Sequence, residues 1–360
     1  MKVAALVSGG VDSSVSVHLL KESGITPHIF YIKIGMEDEP GFVHCPSEED
    51  IEIVAFLARK YACPFDVISL QEEYWERVID YTIQSVRKGL TPNPDVMCNK
   101  LIKFGSFNDK YGHEFDRIAT GHYADVERDD PGLFLKTCRD NHKDQTYFLA
   151  GISSEQLARL HFPLAAYLKR EVRQMAADAR LPSAGRPDSQ GICFLGKINY
   201  AEFIRRYVGE KEGPIVEHET GRILGKHRGY WFHTIGQRKG LGLSQGPWIV
   251  VRKNIPENTL YVSHGYDPLA VYRKSIYIKD FQFITENPFG EEFIGKTALT
   301  FKIRHTPSFS SGRIYKENGL LRLESEQGIH GVAPGQFAVI YDPAMKLCLG
   351  SGVISEENND

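Results

Sequence analysis

The seven residues Ser8-Gly9-Gly10-Val11-Asp12-Ser13-Ser14 constrain this chain more than any other stretch. They stand behind the apolar run 2–7 and open residues 11–20, whose apolar positions recur at helical spacing; the pattern predicts a strand, a tight glycine turn and a helix. Such a junction points backbone N–H groups and the positive end of a helix dipole at one place, which suits an anion. Gly9 and Gly10 let the main chain approach that anion, and Ser8, Ser13 and Ser14 offer hydroxyl donors. Asp12 repels a phosphate but suits a Mg²⁺ ion bridging phosphates, because that ion prefers carboxylate and phosphate oxygen. The string matches neither G-x-x-x-x-G-K-[ST] nor G-x-G-x-x-G, which excludes Walker and Rossmann loops.

Apolar runs at 25–34, 65–70 and 117–120 alternate with helical stretches at 46–61, opened by the capping box Ser47-x-x-Asp50, and at 72–88. The alternation predicts an α/β domain with a doubly wound parallel sheet and ligands at the carboxyl ends of its strands. After helical segments at 169–180 and 199–207 the texture changes. Short β-rich runs at 248–251, 259–262, 297–303 and 337–341, separated by turn residues, predict a small central β domain and a C-terminal β-barrel. The expected domains are 1–208, 209–270 and 271–360, in keeping with about two or three domains for 360 residues. No apolar run approaches the ~18 residues needed to span a bilayer. The start MKVAALVSGG is too soon broken by glycine for a signal sequence, so a cytoplasmic protein is expected.

The net charge of -3 speaks weakly against a nucleic-acid partner, but charge is unevenly spread. Seven acids lie between Glu37 and Ala58, whereas the acid-free stretch from Arg222 to Lys253 holds seven Lys or Arg with Trp231, Phe232 and Trp248 interleaved. That stretch reads as a surface for phosphate backbone or as a solvated basic face. The six cysteines include no C-x-x-C pair, which disfavours a zinc ribbon or a disulfide framework and leaves chemistry to individual thiols. Pro92 and Pro94 predict a helix starting near Cys98, whose dipole would stabilise the thiolate of a candidate nucleophile. Asp95 either caps that helix or carries a proton. Cys193, in Asp188-Ser189-Gln190-Gly191-Ile192-Cys193-Phe194, follows a loop rich in proline and glycine, where a thiol is well placed to meet partners. Cys45, Cys63, Cys138 and Cys348 read as small buried hydrophobes.

Taken together, SGGVDSS at 8–14, TPNPDVMCN at 91–99, TGHYA at 120–124, KDQTYFL at 143–149, DSQGICF at 188–194, HTIGQRKGLG at 233–242, APGQ at 333–336 and LGSGVI at 349–354 resemble the bacterial and organellar tRNA-specific 2-thiouridylases. That family lies within the ATP pyrophosphatase superfamily, and the resemblance covers essentially all three domains. It implies ATP and Mg²⁺ as cofactors, with Ser8 to Ser14, Met36 and Gly121 around the nucleotide. It implies Cys98 as nucleophile, Cys193 as persulfide carrier and Asp95 as acid/base residue. It implies tRNA contacts at Asn93, Pro94, Asp95, His122, Lys143, Asp144, Gln145, Arg304, His305 and Gln336. The implied substrate is the wobble uridine in the anticodon loops of tRNAs for Lys, Glu and Gln, with sulfur supplied by a relay protein or a cysteine desulfurase. Thr146 stands where the family's serine is expected, and 33–36 lacks the tryptophan that relatives carry nearby. Two other functions share the ATP loop: an amide- or amine-forming ligase, and a nucleotide-gated tRNA-binding adaptor. Delivery of sulfur through an iron–sulfur cluster would call for a third thiol grouped with Cys98 and Cys193, and none is obviously placed for it.

Overall fold

A computed structural model of the chain describes residues 1–35, 47–129, 132–188, 200–266, 268–285, 295, 297–317 and 319–355. Strand β1 (Val3–Leu6) runs into α1 (Val11–Glu22), followed by β2 (His28–Lys33), α2 (Ser47–Tyr61) and β3 (Phe65–Ser69). A long helical stretch comes next: α3 (Gln71–Tyr74), a π-helical turn at Trp75–Ile79 and α4 (Asp80–Arg87). A second comprises α5 (Pro94–Cys98), a π-helical segment at Asn99–Ser106 and α6 (Phe107–Lys110). Then follow β4 (Arg117–Thr120), the hairpin β5 (Asp125–Asp129) and β6 (Gly132–Lys136), α7 (Thr146–Leu149), α8 (Ser154–Arg159), β7 (Leu160–His161), α9 (Lys169–Asp178) and α10 (Tyr200–Tyr207).

The sheet order β3-β2-β1-β4-β7 is parallel throughout, as the strand-helix alternation predicts. The two-residue period of a strand explains the two layers. On β1, Ala4 and Leu6 join Phe30 and the two long helical stretches on one face, while Val3 and Ala5 join Ile29, α1, α2 and α9 on the other. Strand order reverses between β1 and β4, and the crevice outside that point receives both the glycine turn after β1 and Gly121 after β4. α10 buries Phe203 and Ile204 in the core of this domain.

The central domain is a four-stranded sheet of β8 (Gly213–Glu217), β9 (Ile223–His227), β10 (Trp248–Asn254) and β11 (Thr259–His264), ordered β10-β11-β8-β9 around Ile215, Trp248, Val250 and Leu260. The C-terminal strands are β12 (Tyr272–Phe283), β13 (Leu299–Lys302), β14 (Ser310–Glu317), β15 (Leu320–His330), β16 (Phe337–Tyr341) and β17 (Leu347–Ile354). They pair in the order β12-β15-β14-β13-β16-β17, and β17 returns to β12, closing the expected barrel. One connection was not foreseen. β6 pairs with β17 through Leu135↔Cys348 and Lys136↔Leu347, so the β5–β6 hairpin of the first domain extends the barrel's sheet. Phe337, Val339 and Tyr341 of the barrel accordingly share a core with Leu135 and Tyr147 of the first domain. Among the described residues no helix is long and apolar enough to cross a membrane.

Candidate functional site

The glycine turn sits where the sequence puts it. Gly9 has φ +76°, a left-handed conformation that favours glycine, and a Cβ there would lie 3.0 Å from the Asp50 Cα. Gly10 caps α1 without a side-chain bond. The serine hydroxyls correct the expectation in part: Ser13 Oγ donates to Gly10 O at 3.2 Å and Ser14 Oγ to the same oxygen at 2.8 Å. Both residues are buried, so this turn offers an anion its backbone N–H groups and the exposed Ser8 rather than three free hydroxyls. Val11 contributes main chain alone, because its side chain packs beneath the sheet. Gly121 has ordinary φ but no room for a side chain, since a Cβ would come within 2.7 Å of Ser13 N.

Beside this turn lies an ion-pair cluster that the sequence did not reveal. Lys169, at the start of α9, donates to Asp12 Oδ1 at 2.6 Å and Oδ2 at 2.7 Å, and Tyr123 Oη donates to Oδ1 at 3.0 Å. The same ammonium stands 2.9 Å from Asp188 Oδ1, which also meets Arg173 at 2.5 Å, while Lys143 holds Asp188 Oδ2 at 2.7 Å. Burial opposes ionisation of Asp188, but hydrogen bonds from Lys143 and Lys169 overcome it and hold the carboxyl well below the usual range. Asp140 organises the lysines: its carboxylate accepts from the backbone N–H of Lys143 at 3.2 Å and of Lys169 at 2.8 Å. Arg186 spans to the turn itself, bonding Gly9 O at 3.2 Å and Asp50 at 2.5 Å. Nothing in local sequence flags Lys169 or Arg173, because a lone basic residue on a helix is ordinarily solvated. The expected Mg²⁺ at Asp12 does not fit this arrangement. Both carboxylate oxygens serve the Lys169 ammonium, so a Mg²⁺ ion on them would have to displace it.

The Cys98 region departs from expectation in one respect. The helix starts at Pro94, a full turn before Cys98, because Asn93 caps it by accepting from Val96 N at 3.3 Å and proline fits the first helical position. Asn93 rather than Asp95 is therefore the cap, Asp95 sits in the first turn, and the dipole acts on Asp95 more than on the thiol. Cys98 is 1% exposed in the shared core. Cys193 and Met36 lie outside the described residues, as does any meeting of the two thiols, and Cys45 does too. Burial pushes the Cys138 thiol up to about 12 and raises those of Cys63 and Cys348, which keeps all three protonated.

Of the positions expected to touch tRNA, Gln336 and His305 lie on a seam between the first domain and the barrel, whereas Lys143 belongs to the Asp188 cluster and His122 stands just beyond the end of β4. Gln336 donates to Thr91 O at 3.0 Å and Pro92 O at 3.2 Å, and Gly335 approaches so closely that a Cβ would lie 2.8 Å from Leu90 Cβ. The Gln336 amide thus braces residues 91–92, just ahead of the Asn93 cap. His305 donates to Asp144 O at 2.9 Å and packs on Phe148 with ring centroids 4.7 Å apart; Arg304 is exposed beside it and donates to His330 O at 3.2 Å. Gln145 accepts from Tyr123 N at 2.9 Å. The Asp144 side chain faces inward, contrary to a surface contact: it is 3% exposed and accepts from Cys138 N at 3.1 Å and Thr146 Oγ1 at 2.5 Å. Thr146 also bonds Tyr341 Oη at 3.1 Å, so its hydroxyl stands where a serine's would serve. The basic stretch 222–253 is largely neutralised. Arg222, Lys226 and Arg228 pair with Glu217, Glu212 and Glu210, Arg252 covers the Tyr261 ring at 4.2 Å, and Lys253 bonds Gly89 O at 3.1 Å. Arg238 and Lys239 are exposed, as are the paired Arg222, Lys226 and Arg228.

His122 bonds Thr120 Oγ1 at 2.9 Å, and burial followed by the Lys103 charge pushes its pKa down to about 3. Burial does the same to His233, with help from His227 and Lys253, to about 4. The unfolded chain takes up these protons near pH 6.5, and the folded chain refuses them until lower pH. Their stabilisation is therefore complete above pH 6.5 and is lost as pH falls toward 4, by up to about 2 kcal/mol per histidine at pH 5. Denaturant unfolding at pH 7.5 and 5.0 checks this: His122→Gln or His233→Gln should each recover about 2 kcal/mol of the difference. An equal pH slope in both variants and the parent would assign the acid sensitivity to other groups.

Comparison with known proteins bears on the same regions. Residues 1–197 match the tRNA methyl transferase HUP domain, 201–264 the tRNA methyl transferase PRC-barrel domain and 273–354 the aminomethyltransferase beta-barrel domain. The tRNA-specific 2-thiouridylase MnmA of Parabacteroides distasonis is 60% identical over 357 residues, 99% of each chain. The protein of the same name from Porphyromonas gingivalis is 58% identical over 359 residues, again 99% of each. A solved structure, the predicted subunit of a tRNA methyltransferase from Methanocaldococcus jannaschii, aligns at TM-score 0.30 and 21% identity over 49% of this chain and 76% of that one, too distant to add weight. With all three domains matched and more than half of all residues shared from end to end, the chain belongs to the tRNA-specific 2-thiouridylase family.

Proposed function

We propose that this chain uses ATP to activate C2 of the wobble uridine of tRNA and replaces its oxygen with sulfur from a cysteine persulfide. A uracil carbonyl oxygen is a poor leaving group, so attack of O2 on the α-phosphorus, with departure of pyrophosphate, must come first. Asp95 takes the N3 proton as O2 attacks. Cys98 thiolate then attacks the inner sulfur of a persulfide on Cys193; a Cys98–Cys193 disulfide forms and hydrosulfide is expelled. Hydrosulfide adds at C2, AMP leaves with the former carbonyl oxygen, and the hydrosulfide proton restores N3–H. An external thiol reductant supplies the two electrons that reopen the disulfide. Mg²⁺, expected at Asp12, is left to the phosphate oxygens of the nucleotide.

The observation that supports this best is a set of hydrogen bonds that ties the turn, through residues 123 and 145–148, to Asn99 next to Cys98. Asp12 accepts from Tyr123, Tyr123 N–H donates to Gln145, and Phe148 O, three residues further on, accepts from Asn99 Nδ2 beside Cys98. The anion-binding turn and the Cys98 helix are thereby registered on one frame. The base has to leave its stack to reach such a site, which favours an unpaired anticodon loop, read by Asn93 to Asp95 with His122, Lys143, Gln145, Arg304, His305 and Gln336 around it. His122 stays neutral there at physiological pH and acts as a hydrogen-bonding group rather than a cation. Among anticodon loops those of tRNAs for Lys, Glu and Gln are the proposed substrates, and a relay protein or a cysteine desulfurase the sulfur source. Mass spectrometry of nucleosides from tRNA incubated with the chain, ATP, Mg²⁺ and sulfide tests the proposal. It requires 2-thiouridine together with AMP and pyrophosphate; tRNA binding with neither product would restore the adaptor function.

A further inference from the structure

Three cations, Lys143, Lys169 and Arg173, meet Asp188, Asp12 shares Lys169, and the Asp140 carboxylate lies against the backbone N–H of both lysines. Lys169 differs from the other two. Its side chain is 11% exposed, it alone bonds both Asp12 at the first turn of α1 and Asp188, and its backbone is pinned by Asp140. An ammonium has three hydrogens: two bonds go to Asp12, and the third is left for Asp188 Oδ1, an ion-pair partner 2.9 Å away. A phosphate oxygen at the adjoining turn would compete for that third hydrogen, with more charge than a carboxylate brings.

We propose that Lys169 binds the pyrophosphate half of the nucleotide and that Asp188 and the β,γ-phosphates compete for its ammonium. Lys169 keeps Asp12 in both arrangements, so the charge of Asp12 stays neutralised beside the phosphates. Asp188 retains Lys143 and Arg173 after exchange, so its carboxylate is never left alone. The inference rests on the turn being the nucleotide site.

Calorimetric titration of the full chain with inorganic pyrophosphate, and separately with AMP, tests it. Lys169→Met should weaken pyrophosphate by about 30-fold and AMP by less than about threefold, and Lys169→Arg should keep most of the pyrophosphate affinity. Asp188→Asn should tighten pyrophosphate by about fivefold in the parent, and by less than about twofold in the Lys169→Met background, because the gain acts through Lys169. Glu49→Gln removes a nearby carboxylate that does not touch Lys169 and should leave the affinity within about twofold. A gain from Asp188→Asn that persists without Lys169, or unchanged pyrophosphate binding by a folded Lys169→Met chain, overturns the exchange. Failure of the parent to bind either AMP or pyrophosphate would instead remove the nucleotide site itself.

Discussion

Gly121→Ala should lower tRNA-dependent pyrophosphate release by about 100-fold in a chain that still folds. The new methyl carbon would sit 2.7 Å from Ser13 N and 2.9 Å from Asp12 C and Ser13 Cα, closer than Cβ atoms come to anything. All three are backbone atoms of the first turn of α1, so no rotamer change relieves the contact, and either β4 or the anion-binding turn must shift. Overpacking of this kind costs about 1 to 3 kcal/mol, which a chain with several cores tolerates. The displaced N–H groups, however, are those proposed to face the phosphates, and small misplacements there are expensive in rate. Thermal melting and a pyrophosphate-release assay separate the two effects; a rate within about threefold of the parent would mean that the turn tolerates displacement and does not contact the reacting phosphates.

Cys98→Ser should abolish 2-thiouridine, by at least about 1,000-fold, while pyrophosphate release on adding tRNA and ATP stays within about threefold. The split arises because adenylation needs no thiol and persulfide cleavage does. Serine is close to cysteine in volume, and at 1% exposure its hydroxyl should cost about 1 to 2 kcal/mol of stability rather than the fold. Full thiolation by Cys98→Ser would show that hydrosulfide is released without this thiol. Loss of pyrophosphate release as well would show that Cys98 is needed to hold the uridine, not only to free the sulfur.

Much of the first domain was readable from order alone. The alternation on β1, the glycines after it and the helical spacing of α1 are rules acting within a few residues, and the turn lies where they predict. The Cys98 helix shows where such rules mislead. Two prolines announced a helix start, but the position was set by Asn93, whose cap bond and the proline that follows move the dipole's end away from the thiol. The serines of the turn mislead similarly: a hydroxyl is a donor in any sequence, and only the folded main chain decides that Gly10 O takes two of them. The acid-free run 222–253 looked basic because the glutamates that pair with its first three cations lie just before it in the chain.

Local order, through the periods of strand and helix and the backbone demands of glycine and proline, determined the layer architecture and the glycine turn after β1. The tertiary structure decided the rest: Lys169 meets Asp12 across 157 residues, and Gln336 braces Thr91 across 245. The pairing of β6 with β17 belongs to the same class. Contacts of that separation depend on closing long loops and on burying charge only where a partner is already held in place, and neither condition is written in the neighbours of any single residue.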